Sequence, residues 1–224
     1  MKDQLKPKWD EIFGALEKWR EDISAQDPSV NTVAEHYSRD PWAVLVSTVI
    51  SLRTKDEVTL VSSKKLLEKA GSPAQLNEMK EAAIAKLIYP AGFYRTKAAS
   101  LKKTAAILLE QYGGKVPSSM EALLALPGVG RKTANLVLTE AFDLDGLCVD
   151  IHVHRISNRC GWLSSKKPEE TEMILREILP QKYWKRINYL LVLYGQKLCR
   201  PVSPFCSRCA LDKHCARLGV ERSR

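Results

Sequence analysis

Apolar positions recur along most of the chain at intervals of three and four residues, the spacing of one face of an α-helix. The period is clearest in five segments, residues 57–70, 97–112, 133–142, 169–179 and 183–198. Convincing strands of alternating apolar and polar residues, fixed repeats and low-complexity linkers are all missing from the sequence. The pattern therefore predicts about ten helices and an all-α protein made of two helical lobes.

Several helix starts are marked by residues that cap the first backbone N–H groups. Asp40 stands before a proline, which tolerates the first helical position, and this pair introduces a helix over residues 42–52. Thr54, Ser72 and Ser118 each precede a Glu or Gln by three residues, the spacing of a capping box. We therefore expect a helix to begin just after each of these four residues.

The stretch LPGVGRKTANLVL, residues 126–138, contains a glycine turn between two helical patterns. Gly128 and Gly130 permit a tight hairpin between a short helix over residues 118–126 and a longer one over residues 131–142. Such a turn exposes several N–H groups at a helix N-terminus and suits one phosphate. An ordinary αα-hairpin, in which the glycines only tighten the loop, fits the bare spacing as well.

Two cations, Arg131 and Lys132, stand at the start of the second of these helices. A helix N-terminus carries positive partial charge, so each cation is unfavourable there by about 0.3–1 kcal/mol. Either an anion lies over the turn, or one of the two side chains is not always charged.

The overall charge indicates the kind of partner. The 224 residues include 35 Lys and Arg against 26 Asp and Glu, a formal net charge of +9. This excess favours a polyanion, nucleic acid before membrane, although mere solubility explains the charge as well. The longest aliphatic run, residues 189–194, is too short to cross a membrane, and the polar N-terminus MKDQLKPKWDEI lacks the apolar segment of a signal peptide. We therefore expect an intracellular protein without a disulfide framework.

Four of the six cysteines lie close together in the tail CRPVSPFCSRCALDKHC. They are Cys199, Cys206, Cys209 and Cys215, separated by six, two and five residues. A structural zinc site would more often use two C-x-x-C arms, whereas an iron–sulfur cluster suits this uneven spacing better. Zinc and free thiols remain alternatives, and His214 is an alternative ligand. The other two cysteines are interpreted as small core residues, Cys148 and Cys160.

Three motifs in this order resemble the endonuclease III family of DNA base-excision glycosylases. They are LPGVGRKTAN, the segment VDIHVHR that places Asp150 eighteen residues after Lys132, and the cysteine-rich tail. The likeness also extends to residues 46–56 and 88–130. It implies a helix–hairpin–helix motif at residues 118–142, a 4Fe–4S cluster on the four tail cysteines, and a DNA cleft between the two lobes.

The resemblance also implies domain boundaries. One helical domain spans residues 34–144 and contains the helix–hairpin–helix motif. The other combines residues 1–33 with residues 145–224 and carries the cluster.

For the chemistry, the resemblance implies that Lys132 attacks C1′ of a flipped-out nucleotide and that Asp150 acts as the base. A lysine used in this way must be neutral for part of the time, and its usual pKa is about 10.4. From spacing alone, Lys132 is equally an ordinary solvated lysine and Asp150 an ordinary N-cap. His152 is interpreted as orienting a phosphate or pairing with Asp150.

Other residues are implied to bind DNA. Gly128 and Gly130 grip the backbone, and Arg131 is a phosphate or surface cation. Two positions, Arg53 and Phe93, correspond to side chains that fill the gap left by the flipped nucleotide. The first position is commonly glutamine in this family, so Arg53 departs from the pattern, and Phe93 is alternatively a core aromatic. Basic residues around the tail contact phosphates or compensate the anionic cluster: Arg200, Arg208, Lys213 and Arg217.

The function implied is a bifunctional DNA glycosylase and abasic-site lyase that excises oxidised pyrimidines. Relatives without the lysine use water and stop at the abasic site, so Lys132 favours the bifunctional kind. A monofunctional mismatch or adenine glycosylase and a non-catalytic DNA-binding iron–sulfur module are the alternatives. The expected partner is duplex DNA with damaged bases or abasic sites. The expected state is a monomer without membrane association, in the cytoplasm or nucleoid of a prokaryotic cell.

Overall fold

A computed structural model describes residues 7–224, and within this range every regular element is a helix and there is no β-strand. The all-α prediction is therefore confirmed. The α-helices are α1 (Trp9–Asp22), α2 (Ser29–His36), α3 (Pro41–Ser51), α4 (Asp56–Lys69), α5 (Pro73–Glu78), α6 (Glu81–Ile88), α7 (Tyr94–Tyr112), α8 (Met120–Leu124), α9 (Arg131–Phe142), α10 (Ile151–Cys160), α11 (Pro168–Ile178) and α12 (Trp184–Lys197). Short 3₁₀ turns lie at Gln181–Tyr183, Cys206–Arg208 and Asp212–His214.

The predicted helix starts agree with the structure in two cases out of four. The Asp40 carboxylate accepts a 2.8 Å hydrogen bond from the N–H of Ala43, and the Ser72 hydroxyl caps α5. The third prediction is wrong by one residue, because Ser119 rather than Ser118 caps α8. The prediction at Thr54 is also wrong, because α4 begins at Asp56 without a side-chain cap.

The chain divides into two compact units, Asp27–Gly146 and Met1–Gln26 with Leu147–Arg224. Of the two predicted boundaries, which separate residues 34–144 from residues 1–33 and 145–224, the one between residues 33 and 34 falls inside α2. The structure keeps the whole of α2 in the continuous unit because this helix packs on α3 and α4.

The continuous unit is arranged around α3. This helix is buried on every side, because its residues 42–50 are all buried, including the polar Ser47 and Thr48. Helices α2, α4, α7 and α9 pack around it. Helix α9, which follows the glycine turn, is therefore held against the most buried helix of the unit.

In the second unit α12 packs against α1 and α10, and α10 packs against α11. Its core includes Trp9, whose indole N–H donates to the Ile178 carbonyl at 2.7 Å, and Phe13, which stacks on Tyr183 at 3.8 Å between ring centroids. The tail after α12 lies on the end of α10, where the Ala216 N–H donates to the Cys160 carbonyl at 3.0 Å. The segment that contains four cysteines is therefore attached to the helix that follows Asp150.

Among the described helices, none has the length and apolar character that a membrane span needs. The N-terminal stretch used above against a signal peptide begins with residues 1–6, which lie outside the described part of the chain.

Candidate functional site

The turn between α8 and α9 needs a glycine at only one of its two glycine positions. Gly128 has a φ of +79°, and a Cβ there would lie 3.2 Å from the Cβ of Ser100. Gly130 has an ordinary φ of −102° and nothing within 4 Å of the place where a Cβ would be. Gly128 therefore permits the turn, whereas the missing side chain of Gly130 leaves open space beside the first turn of α9.

Lys132 and Arg131 form the start of α9, and both are partly buried. Gly130, the N-cap residue, has no side chain to cap the helix. The following residues, 133–139, are all buried. Because α9 is anchored in this way, the first turn and Lys132 with it are held on a rigid element.

Asp150 is buried and occupies the N-cap position of α10. Its Oδ1 accepts hydrogen bonds from the N–H groups of His152 at 2.8 Å and of Val153 at 2.9 Å. These two bonds fix the carboxylate at the positive end of the helix, where a negative charge is favoured. Both bonds use the same oxygen, so the cap occupies one of the two carboxylate oxygens.

The ring of His152 contacts Arg155. The Arg155 Nη2 lies 3.1 Å from His152 Nδ1 and donates to the carbonyls of Cys199 at 2.9 Å and Gly195 at 3.2 Å. A Cβ on Gly195 would overlap the His152 ring, so α12 approaches α10 closely only because this residue is glycine. Burial lowers the pKa of Arg155, and the charge of Asp150 acts in the opposite direction. Arg155 thus connects the start of α10 with the first cysteine of the tail.

Arg53 and Phe93 are brought together in the continuous unit. Both have left-handed backbone conformations, with φ of +52° and +56°. The guanidinium carbon of Arg53 lies 5.4 Å from the centroid of the Phe93 ring, and Phe93 is 62% exposed. The alternative that Phe93 is a core aromatic is therefore wrong. The two side chains form an exposed cation–aromatic pair.

Lys97 lies beneath this pair and is not among the site residues that the sequence predicts. Its Nζ donates to the carbonyls of Ile50 at 2.7 Å and Leu52 at 2.5 Å, and to the Thr54 hydroxyl at 2.8 Å. The side chain is 6% exposed, and burial lowers its pKa to about 8. The sequence offered no signal, because a lysine in an amphipathic helix is normally a surface residue.

The four tail cysteines occupy positions set by the end of α12 and two 3₁₀ turns. Cys199 follows α12, and its Sγ accepts a hydrogen bond from Arg159 at 3.3 Å. The Cys209 Sγ lies 3.1 Å from the Tyr194 hydroxyl, and the Cys215 Sγ accepts from the Arg217 N–H at 3.4 Å. Cys206 opens the first of the 3₁₀ turns.

The environment of these thiols fits an iron–sulfur cluster in its donor chemistry. Burial raises the pKa of Cys199 and Cys209, whereas a hydrogen bond from Cys160 lowers that of Cys215 to about 7. N–H and O–H donors to sulfur are the contacts that stabilise cluster thiolates. In residues 7–224 no three His, Cys, Asp or Glu side chains are placed to hold a single metal ion. The ligand set therefore remains a prediction.

The two remaining cysteines are buried, as core residues should be. Cys148 is 1% exposed and Cys160 is 2% exposed. The thiol of Cys160 also contacts Cys215. That hydrogen bond and burial raise the pKa of Cys160 well above its usual value.

The basic residues of the tail have different partners. Arg217 forms an ion pair with Asp212. Three other guanidinium carbons lie 4.8–5.2 Å from the centroid of the Phe205 ring, those of Arg200, Arg208 and Arg224. The ring thus gathers three positive charges next to Cys206, a surface suited to an anion. His214 faces Glu11 at 3.6 Å through its Nε2 atom.

Comparison with known proteins gives consistent matches. A family model described as HhH-GPD superfamily base excision DNA repair protein matches residues 46–181. Endonuclease III of Thermotoga maritima is 49% identical over 180 residues, which cover 80% of this chain and 84% of that protein. Endonuclease III homolog 2, chloroplastic, of Arabidopsis thaliana is 43% identical over 77% of this chain, which spans 47% of that longer protein.

A solved structure is also similar over most of the chain. It is that of a trapped endonuclease III–DNA covalent intermediate, an estranged-adenine complex. Its TM-score is 0.76 at 29% identity, and the match covers 90% of this chain and 96% of that one.

The two turn glycines are expected to respond differently to alanine. Gly128→Ala forces a non-glycine residue into the left-handed region against Ser100 and should destabilise the protein by about 1–2 kcal/mol. Gly130→Ala should change stability by less than about 0.5 kcal/mol, because its conformation is ordinary and the space is open. Urea unfolding of both variants measures the difference. Equal destabilisation would contradict the assignment of the turn to Gly128.

Proposed function

Because the chain belongs to the HhH-GPD superfamily of base excision DNA repair proteins, we propose that it is a bifunctional DNA glycosylase and abasic-site lyase acting on oxidised pyrimidines. The observation that carries this function is Lys132 in the first turn of a buried helix, directly after the glycine turn. A lysine at this position supplies an amine nucleophile, which a water-using glycosylase does not need. The trapped covalent complex of the related endonuclease III supports this choice.

The reaction begins with Lys132 in its neutral form. The amine attacks C1′ of the flipped nucleotide, the bond from C1′ to the base nitrogen breaks, and the base leaves with a proton. Loss of a proton from the attacking nitrogen and opening of the sugar ring give an imine between Lys132 and C1′. The imine acidifies the 2′ C–H bond, and removal of that proton expels the 3′ phosphate by β-elimination. Water then hydrolyses the imine and releases the enzyme.

Asp150 acts as the base that removes the proton from Lys132, directly or through water. Its N-cap hydrogen bond holds the carboxylate in one orientation. Because Asp150 is buried, water screens its negative charge less, and the charge can stabilise the sugar cation that develops in the transition state. Asp150 lies in the unit that includes Leu147–Arg224, and Lys132 lies in the unit Asp27–Gly146.

DNA binding would use the open turn and the cation–aromatic pair. Amides at the start of α9 and the side chain of Arg131 are suited to one phosphate, and the missing side chain of Gly130 gives the phosphate room. Arg53 and Phe93 would fill the space left by the flipped nucleotide, since an exposed ring and guanidinium stack on bases. His152, whose ring contacts Arg155, would orient a phosphate or pair with the Asp150 carboxylate.

The cofactor we propose is a 4Fe–4S cluster held by Cys199, Cys206, Cys209 and Cys215. When bound, it would cross-link the tail and supply no atom to the reaction. The chain's own residues hold the basic segment against α10 and α12, through Arg159 and Tyr194 among others.

The substrate also determines where the protein acts. Duplex DNA with a damaged base or an abasic site is its partner, bound by a monomer without membrane association. In a prokaryote this places it in the cytoplasm with the nucleoid. Two alternative functions remain to be distinguished by experiment: a mismatch-specific or adenine-specific glycosylase, and a non-catalytic DNA-binding module.

Lys132 is tested by trapping the imine. With a duplex that contains one dihydrouracil, borohydride should give a covalent protein–DNA adduct, and Lys132→Ala should abolish it because no amine remains to attack C1′. Denaturing gel electrophoresis measures the adduct. Arg131→Ala is the matched control, which should bind DNA less tightly and still form the adduct. Base release without an adduct would indicate the monofunctional alternative, and neither release nor adduct would indicate the binding module.

Asp150 is tested by separating its two roles. Asp150→Asn keeps an oxygen for the N-cap and loses the base, so base release should fall by about 10²- to 10⁴-fold while the melting temperature stays the same. Asp150→Ala loses the cap as well and should be destabilised by about 1 kcal/mol. Single-turnover kinetics and thermal melting give both quantities. An Asp150→Asn enzyme with the wild-type rate would remove Asp150 from the mechanism.

The cluster is tested by metal analysis of the purified chain. We expect about four iron and four sulfide per chain, and Cys199→Ser should lose iron because a ligand is gone. Cys160→Ser is the matched control, a buried thiol beside Cys215 that should keep iron. Loss of iron in Cys160→Ser would change the ligand set, and zinc in place of iron would contradict the cofactor.

A further inference from the structure

The two segments that carry Arg53 and Phe93 touch through their backbones. A Cβ on Gly92 would overlap the carbonyl oxygen of Arg53, so the segments meet at this glycine. The Gly92 N–H donates to the Thr54 hydroxyl at 3.1 Å. The residues on either side of this contact, Arg53 and Phe93, both adopt the left-handed conformation that side chains disfavour. Surrounding contacts must therefore hold them in place.

Lys97 provides these contacts from below. Two of its acceptors, the carbonyls of Ile50 and Leu52, lie at the end of α3, where carbonyl groups have no partner within the helix. The third acceptor, Thr54 Oγ1, is the atom that also receives the Gly92 N–H. One ammonium group thus binds both sides of Arg53 and reaches the segment of Phe93 through one shared hydroxyl.

Lys97 also lies at the helical end of the second segment. Its own N–H donates to the Phe93 carbonyl at 3.0 Å, so the residue that binds the first segment is one turn away from Phe93 along α7. Lys97 therefore contacts the segment of Arg53 through its side chain and Phe93 through its main chain.

We propose that Lys97 is the positioning residue that holds Arg53 and Phe93 in the conformation that fills the gap in the DNA. The inference rests on the proposed function, since it deepens the role given there to this pair. Lys97 does not touch the substrate. It acts on binding to DNA from which a nucleotide is missing, and undamaged DNA does not require the pair to enter the stack.

The experiment compares two lysines of the same helix. Lys102 also donates from Nζ to two backbone carbonyls, Asn77 at 2.6 Å and Met79 at 2.7 Å, but it holds a different loop. Lys97→Met and Lys102→Met therefore remove the same chemistry at two places. The probe is a duplex with one tetrahydrofuran residue opposite 2-aminopurine, whose fluorescence reports insertion of side chains beside it. The reference is the same duplex without the lesion.

We expect Lys97→Met to weaken binding of the tetrahydrofuran duplex by about tenfold or more, the usual effect of losing hydrogen bonds from a charged group. The 2-aminopurine response should be lost with it, and affinity for the undamaged duplex should change by no more than about twofold. Lys102→Met should behave like the wild type. Thr54→Val, which removes the shared hydroxyl, should reproduce the effect in part, and thermal melting verifies that each variant is folded.

A double-mutant cycle separates positioning from general stability. If Lys97 acts through the pair, Lys97→Met should cost little further affinity in the Phe93→Ala background. Additive losses, or a Lys97→Met protein that binds and reports like the wild type, would overturn the inference. A wild-type protein that binds both duplexes equally would instead contradict the proposed function, so the two failures are distinguishable.

Discussion

An α-helix leaves its first N–H groups and its last carbonyls without partners inside the helix, and the proposed site of this protein is built on those groups. Asp150 satisfies two N–H groups at the start of α10. Lys97 satisfies carbonyls at the end of α3. The start of α9, after Gly130, has no side-chain cap. The contrast between the capped and the uncapped helix start is what makes the second suited to an outside anion.

This arrangement explains how one residue can serve both folding and chemistry. A capping carboxylate is already desolvated and oriented by N–H donors, so its use as a base requires no reorganisation during the reaction. The same bonds hold Asp150 in one position. This arrangement suits a step in which a proton moves to a prearranged acceptor.

How far the sequence predicts this structure depends on how far apart the interacting residues are in the chain. The helical period and the cap at Asp40 are local features and were predicted correctly. Thr54 has the spacing of a cap, but its hydroxyl is occupied by residues about 40 positions away, Gly92 and Lys97. Arg155 likewise binds the carbonyl of Cys199, 44 positions away. No local pattern marks such contacts. The left-handed backbone conformation of Arg53 and Phe93 could not be predicted from the sequence either, because this conformation is typical of glycine and asparagine and not of arginine or phenylalanine.

The identity of the buried cation follows from the geometry of its acceptors. Three oxygens converge on Lys97 from two carbonyls and one hydroxyl, and an ammonium group has three donors arranged around one point. A guanidinium group presents its donors in a flat fork and could not reach the same three oxygens without spreading them. Burial of the charge has a cost, seen in the pKa of about 8. The chain accepts this cost because a neutral side chain would leave carbonyls at the end of α3 unpaired, and each unpaired buried carbonyl is unfavourable as well. The buried charge of Lys97 thus reduces the stability of the protein to some extent, while its hydrogen bonds fix the conformation of the segments that carry Arg53 and Phe93.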